Sequence, residues 1–265
     1  MTNPHGDFIW YELMTPDPDA AKAFYDAVVG WDIGPRVEGD MDYRMIAIPG
    51  GGHAGGVFRL SPEMQEHGAR PAWLGYLGVN DVDAMVAAVE QHGGKTLMPA
   101  NDIAGVGRIA MIADPQGAPI YVMKPTPKPD QDAATSTVFS VDQPRHVRWN
   151  ELATTDPDGA IHFYKQHFGW HQQGEMDMGE MGKYRFLQHG GIGIGAVMQK
   201  PPQLPVSLWS YYIGVDDIDR AAAAITEGGG TILMGPMEIP GGEFSLNALD
   251  PQQASFGLVG PRKNA

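Results

Sequence analysis

Apolar residues with helical spacing stand at corresponding places in the two halves of the chain. Ala21, Phe24, Tyr25 and Val28 form one stripe, and Ala160, Phe163, Tyr164 and then His167 or Phe168 form another. Intervals of three and four put such residues on one face, which predicts an amphipathic helix in each place. Asp17–Pro18 and Asp156–Pro157 precede the stripes, and Gly30 and Gly169 follow them. An Asp side chain accepts from the free N–H groups of a helix start, proline at the first position has no N–H to lose, and glycine takes the left-handed turn that ends a helix. Asp81/Asp83 and Asp217/Asp219 repeat the Asp-x-Asp spacing of Asp17/Asp19 and Asp156/Asp158 and predict two more helices. A bound cation is the competing reading of these pairs, and capping is preferred. Runs such as YRMIAIP from Tyr43, GGVFRL from Gly55, KTLMPA from Lys95, RIAMIAD from Arg108 and APIYVMKP from Ala118, separated by turn residues, read as strands. The unit is a strand, a helix and about three strands.

The halves are duplicates. Residues 10–31, WYELMTPDPDAAKAFYDAVVGW, return as WNELATTDPDGAIHFYKQHFGW at 149–170 with 12 of 22 positions identical. YRMIAIPGGGHAGGVF is answered by YRFLQHGGIGIGAVM, WLGYLGVNDVD by WSYYIGVDDID, and the closing ADPQGAPIYVM by LDPQQASFGLV. The Pro-, Asp-, Ser- and Thr-rich stretch between them reads as a linker, so the expected domains are 1–125 and 145–265, joined by 126–144.

Composition narrows the chemistry. A formal net charge of −14 over 265 residues carries no basic footprint for a phosphate backbone, which argues against nucleic-acid binding. No run of about 18 apolar residues occurs and the N-terminus lacks a signal-peptide pattern, so a soluble, cytoplasmic protein with no membrane partner is expected, as a monomer or homodimer. The absence of cysteine excludes disulfides, thiolate zinc sites and thiol nucleophiles. The Gly-rich runs lack the sequence of a P-loop or dinucleotide fingerprint, and no Gly-x-Ser-x-Gly elbow occurs.

With ELMTPDPDAAKAFYDAVVGW, GVNDVDAMVAAVEQHGG and DPQGAPIYVM each present in both halves, the chain resembles a tandem member of the vicinal oxygen chelate superfamily, which includes glyoxalase I, bleomycin-resistance proteins and extradiol dioxygenases. The resemblance implies an α+β fold of two tandem domains, each a pair of βαβββ modules forming a curved mixed sheet around a cavity. In metal-dependent relatives, the first strand of a module presents His or Gln seven residues before the capping Asp, and the last strand presents Glu seven residues after the Asp of the Asp–Pro turn. Here those positions hold Trp10, Trp149, Leu74, Ser210, Tyr121 and Gly257. Indole, leucine and glycine offer a divalent ion nothing, and lone Ser or Tyr replaces His and carboxylate poorly. The expectation is therefore no metal and no cofactor. His162, His167 and His171 do not rescue a metal site, because Gly169 ends the helix before His171; His53 and His189 lie in or beside Gly-rich turns that do not align.

Strand alternation puts Trp10 with Glu12 on one face, and Trp149 with Glu151 on its counterpart. If the resemblance carries to the site, that face lines the cavity. Glu12 and Glu151 are the candidate catalytic carboxylates. Trp10, Tyr43, Trp73 and Tyr121 are the candidate ligand-binding residues of the first half, and Trp149, Tyr184, Trp209 and Tyr211 those of the second, although Trp209 and Tyr211 share the face opposite Ser210. An aromatic wall with one carboxylate suits flat or cationic molecules through stacking, cation–π contact and charge pairing. The first reading is metal-independent binding or sequestration of a small aromatic or cationic molecule. The alternatives are a lyase or dioxygenase-type enzyme with unusual metal ligands or Glu as general base, and a structural module in which Trp fills the space and Glu makes a structural hydrogen bond, to Tyr43/Arg44 or Tyr184/Arg185.

Overall fold

The computed structural model describes residues 3–39, 41–126 and 135–263. Of the linker expected at 126–144, residues 127–134 lie outside the described residues. The first module holds β1 (Phe8–Thr15), α1 (Pro18–Val29), β2 (Asp32–Ile33), β3 (Tyr43–Ala47) and β4 (His53–Arg59), followed by the short α2 (Pro62–Glu66). The second holds β5 (Ala72–Gly78), α3 (Val82–Gln91), β6 (Lys95–Ile103), β7 (Gly107–Ala113) and β8 (Pro119–Pro125). The third holds β9 (Val147–Thr154), α4 (Pro157–Phe168), β10 (His171–Asp177), β11 (Lys183–His189) and β12 (Ile192–Gln199). The fourth holds β13 (Leu208–Gly214), α5 (Ile218–Glu227), β14 (Thr231–Glu238), β15 (Phe244–Leu249) and β16 (Ser255–Gly260). Each is the expected strand, helix and three strands. The strands form two eight-stranded mixed sheets, ordered β2-β3-β4-β1-β5-β8-β7-β6 and β10-β11-β12-β9-β13-β16-β15-β14, which is the α+β class expected.

The helix boundaries follow local chemistry. Asp17, Asp81, Asp156 and Asp217 all cap, their carboxylates accepting backbone N–H groups of the first turn. Gly30 and Gly169 end α1 and α4 at φ 81° and 72°, the left-handed region that a residue with a β-carbon enters at a cost. The second Asp of each pair meets an arginine: Asp19 with Arg44, Asp83 with Arg108, Asp158 with Arg185 and Asp219 with Arg262. The predicted faces are the buried ones, Ala21, Phe24, Tyr25 and Val28 on α1, and Ala160, Phe163, Tyr164, His167 and Phe168 on α4. Among the described residues, no helix is long and apolar enough to cross a membrane.

Compactness groups the modules across the two halves of the sequence. One unit comprises Trp10–Leu74, Thr137–Arg148 and Ser210–Ala265, and therefore the first and fourth modules. In it α1 packs on α5, and Tyr25, Trp31, Trp73 and Phe256 meet ring to ring at 5.4 to 5.9 Å. The other comprises Met1–Ile9, Gly75–Ser136 and Trp149–Trp209, and therefore the second and third modules. There α3 packs on α4, and Tyr164 stacks on Trp170 at 4.9 Å with Trp209 edge-on to both. Phe8 of the first copy stacks on Trp170 at 5.5 Å, so each core draws aromatic residues from both copies.

Candidate functional site

The aromatic and acidic residues fall into two kinds of cluster, each kind occurring once in each unit. The first kind is buried. In the unit of the first and fourth modules, the Trp73 indole N–H donates to the Tyr25 hydroxyl at 2.9 Å, and that hydroxyl donates to Asp250 Oδ2 at 3.1 Å. In the other unit Trp209 donates to Tyr164 at 2.9 Å, and Tyr164 to Asp114 Oδ2 at 3.3 Å. The aspartates are those of the Asp–Pro turns. Their Oδ1 atoms accept two backbone N–H groups each, from Gln116 and Ala118 and from Gln252 and Ala254, at 2.8 to 3.0 Å. Burial pushes both carboxyls above the usual carboxylate range, and the backbone N–H groups and tyrosine hydroxyls pull the other way. Burial and the Asp250 charge push the Tyr25 phenol well above its ordinary value. Trp73 and Trp209 therefore sit in the helix-facing cores, and Tyr211 does too, edge-on to Tyr11 at 5.2 Å.

The second kind is half-open and contains the candidate carboxylates. On β9, Trp149 and Glu151 lie two residues apart, and Tyr184 of β11 joins them. Trp149 donates its indole N–H to the Tyr184 hydroxyl at 2.7 Å, and Tyr184 donates to Glu151 Oε2 at 2.7 Å. Phe186 closes one side, 6.2 Å from the Trp149 ring and 6.0 Å from that of Tyr184. All four side chains are half-buried. In the unit of the first and fourth modules, Trp10 donates to the Tyr43 hydroxyl at 2.7 Å, and Glu12, on the same face of β1, is only 6% exposed. Arg44 and Arg185 take no part, being paired with Asp19 and Asp158.

Aromatic packing occupies two of the other ligand positions, Tyr121 and Gly257. Tyr121 stacks on Tyr76 with ring centres 4.3 Å apart and planes at 13°. Gly257 lies under the Tyr212 ring, where a β-carbon would collide with it, and the Tyr212 hydroxyl accepts from the Asn247 amide at 3.0 Å. Among the described residues no three His, Asp or Glu side chains gather as a metal requires. The one nitrogen of Trp10 and that of Trp149 are N–H donors already engaged, so the residues at the superfamily's ligand positions do not fit a divalent ion. The histidines have other surroundings: His189 Nε2 is 3.2 Å from Asp7, which raises its pKa, whereas burial, His92 and His162 lower that of His167.

Sequence reasoning brought Trp149, Tyr184 and Glu151 into one list, and the structure joins them. It did not find Phe186, whose only signal was its place in the YRF run. Nor did it find the buried roles of Asp114 and Asp250, for which the repeated pairing of the Asp–Pro turns with Tyr25 and Tyr164 was the available sign.

Two duplicated βαβββ pairs with aromatic and acidic residues on their first strands define the class of protein. The model of the Glyoxalase/Bleomycin resistance protein/Dioxygenase superfamily matches residues 8–122 and 143–256, and the chain belongs to that superfamily. The "Putative glyoxylase CFP32" of Mycobacterium tuberculosis is 35% identical over 95% of this chain and 94% of its own length. The "Anthracycline biosynthesis protein DauV" of Streptomyces sp. is 28% identical over 94% of this chain and 91% of its own length. Among solved structures, the 2,3-dioxygenase LapB from Pseudomonas sp. KL28 superposes with a TM-score of 0.64 at 12% identity, covering 100% of this chain and 95% of LapB. The Mn(II)-bound glyoxalase from Novosphingobium aromaticivorans gives 0.62 at 19%, covering 98% and 83%. At those identities the likeness is one of fold.

Proposed function

We propose that the chain, as a monomer or homodimer, binds a small planar aromatic or cationic molecule without the help of a metal, at the cluster of Trp149, Tyr184 and Glu151. The observation that carries this reading is the half-open Trp149–Tyr184–Glu151 chain of hydrogen bonds. It offers two aromatic faces, a third in Phe186, and a carboxylate oriented by a phenol. Aromatic faces attract flat rings and cations, and a partly desolvated carboxylate adds a charge-assisted contact. The net charge of −14 favours approach of a cation, and the names of the Streptomyces relatives point to fused-ring aromatic chemistry.

Proflavine, a planar aromatic cation, tests this directly. Its fluorescence should report saturable binding, weakened by about 10- to 100-fold in Glu151→Gln, which keeps the shape and removes the charge. No saturable binding, or equal binding by Glu151→Gln, refutes the reading. A second reading, a lyase or dioxygenase-type enzyme with Glu151 or Glu12 as general base, is favoured by the Tyr184–Glu151 contact, since a phenol paired with a carboxylate is an arrangement for moving a proton. Consumption of a thioester-forming or catechol substrate by the wild type, lost in Glu151→Gln, would favour it over binding.

A further inference from the structure

The two half-open clusters differ at the strand position beside each carboxylate, and Phe186 of the one is answered by Met45 in the other. In the third module, Ala196 of β12 is the register partner of Glu151; in the first, Gly56 of β4 is the register partner of Glu12. Gly56 is not idle backbone. A β-carbon placed there would run into the hydroxyl and ring of Tyr43, so the hydroxyl end of the Tyr43 phenol rests against β4 at the strand position that pairs with Glu12. Glu12 is correspondingly buried at 6% exposure. At position 196 the methyl group occupies that space, and a phenol cannot lie there. Tyr184 nonetheless keeps the indole contact at 2.7 Å, the same length as that of Tyr43, and Glu151 beneath it is half-buried rather than buried.

We propose that Ala196 is a positioning residue: its methyl props Tyr184 off the sheet and makes the Glu151 cluster the ligand-accepting one, while Gly56 lets Tyr43 close over Glu12 and makes that cluster structural. The ligand part of this statement rests on the binding reading given above; the propping part does not. Glycine at 196 lets the Tyr184 ring settle onto β12 and cover Glu151. Alanine at 56 lifts Tyr43 and uncovers Glu12. One methyl group, alongside the exchange of Met45 for Phe186, therefore sets how closely each tyrosine approaches its strand and covers its carboxylate.

The test uses two readouts on the full chain. Nitration by tetranitromethane, mapped by mass spectrometry, reports the accessibility of Tyr184 and Tyr43 without any ligand, and proflavine fluorescence reports binding. Ala196→Gly should lower nitration of Tyr184 several-fold and weaken proflavine by about tenfold or more, the scale on which one covered charged contact acts. Gly56→Ala should raise nitration of Tyr43 and leave that of Tyr184 unchanged. Because glycine in a strand weakens it, Gly56→Ala also serves if Ala196→Gly fails to fold. Unchanged nitration of Tyr43 in Gly56→Ala, or of Tyr184 in a folded Ala196→Gly, overturns the propping role. Nitration shifting as expected while the wild type binds no proflavine upholds that role and instead removes the binding reading.

Discussion

Replacing Tyr25 by Phe removes a single oxygen that works twice. The hydroxyl accepts the Trp73 indole N–H at 2.9 Å and donates to Asp250 Oδ2 at 3.1 Å, among side chains of which Tyr25 is fully buried, Trp73 5% exposed and Asp250 1%. Phe fits the same space, so no cavity beyond the oxygen arises. The indole N–H is left buried without that partner, a loss of about 1–3 kcal/mol. Asp250 keeps its two backbone N–H groups and loses one charge-assisted bond of ordinary length, roughly another 1 kcal/mol. The expected loss is therefore about 2–4 kcal/mol, which for a chain of this size lowers the melting temperature by roughly 2–4 °C per kcal/mol. The pH dependence has a definite sign. The Asp250 carboxyl already lies above the usual range, and the Tyr25 hydroxyl holds it down. In Tyr25→Phe it rises further, so the folded state binds the proton more readily and the deficit shrinks as pH falls from 7 toward 5. Urea unfolding at both pH values, with Trp73→Phe and the double variant to extract the coupling, checks this. A loss below about 0.5 kcal/mol, the range of inert surface changes, would refute the reasoning.

Other expectations follow from the same geometry. Because the Tyr25 phenol is raised well above its ordinary value, the folded state retains that proton when the unfolded chain has lost it, so stability falls above the ordinary tyrosine pKa, by at most about 1.4 kcal/mol per pH unit per such group; alkaline unfolding curves of wild type and Tyr25→Phe should converge as pH rises. Gly169→Ala meets only the His189 ring, at an ordinary contact of 4.0 Å, but must hold φ near 72°, and should cost roughly 1 kcal/mol in denaturant unfolding. Asp156→Ala removes the cap of α4, whose carboxylate accepts from Gly159 at 3.0 Å, and should cost about 0.5–2 kcal/mol by the same measurement.

What could be read in the chain was local, and what could not be was set by distant partners. The caps, the glycine stops and the buried faces of α1 and α4 each depend on residues within one or two turns, so spacing alone located them. β10 escaped notice because its residues are almost all exposed and carry no alternation. α2 has a readable start in Ser61 and Pro62 but is too short for periodicity to mark. Strand alternation correctly paired Trp149 with Glu151, because that needs only a period of two. It could not tell that Trp73 would meet Tyr25, or that Tyr25 would meet an aspartate 225 residues away. The aromatic residues of the candidate site look alike in sequence; a tryptophan facing a helix and one facing the open side of a sheet differ only in what the fold places above them.

That long-range pairing changes what the duplication means for folding. The two copies, matched by the superfamily model at 8–122 and 143–256, are separate in sequence, and each supplies one eight-stranded sheet. The compact units nevertheless combine the copies: Tyr25 and Trp73 of the first copy depend on Asp250 and Phe256 of the second, and Tyr164 and Trp209 of the second depend on Asp114 of the first. A single copy made alone has its helices but not the partners that cover them, and leaves the Tyr25 hydroxyl, the Phe24 ring and an apolar helix face in water. Residues 1–125 by themselves should therefore not persist as a folded monomer. They should remain expanded, or pair with a second copy that supplies Asp114 in place of Asp250, and co-expression with residues 135–265 should restore the compact protein. Light scattering and circular dichroism of each half and of the mixture read this out, and a cooperatively folded monomer of residues 1–125 would show that the cross-copy chains are not what holds the cores together.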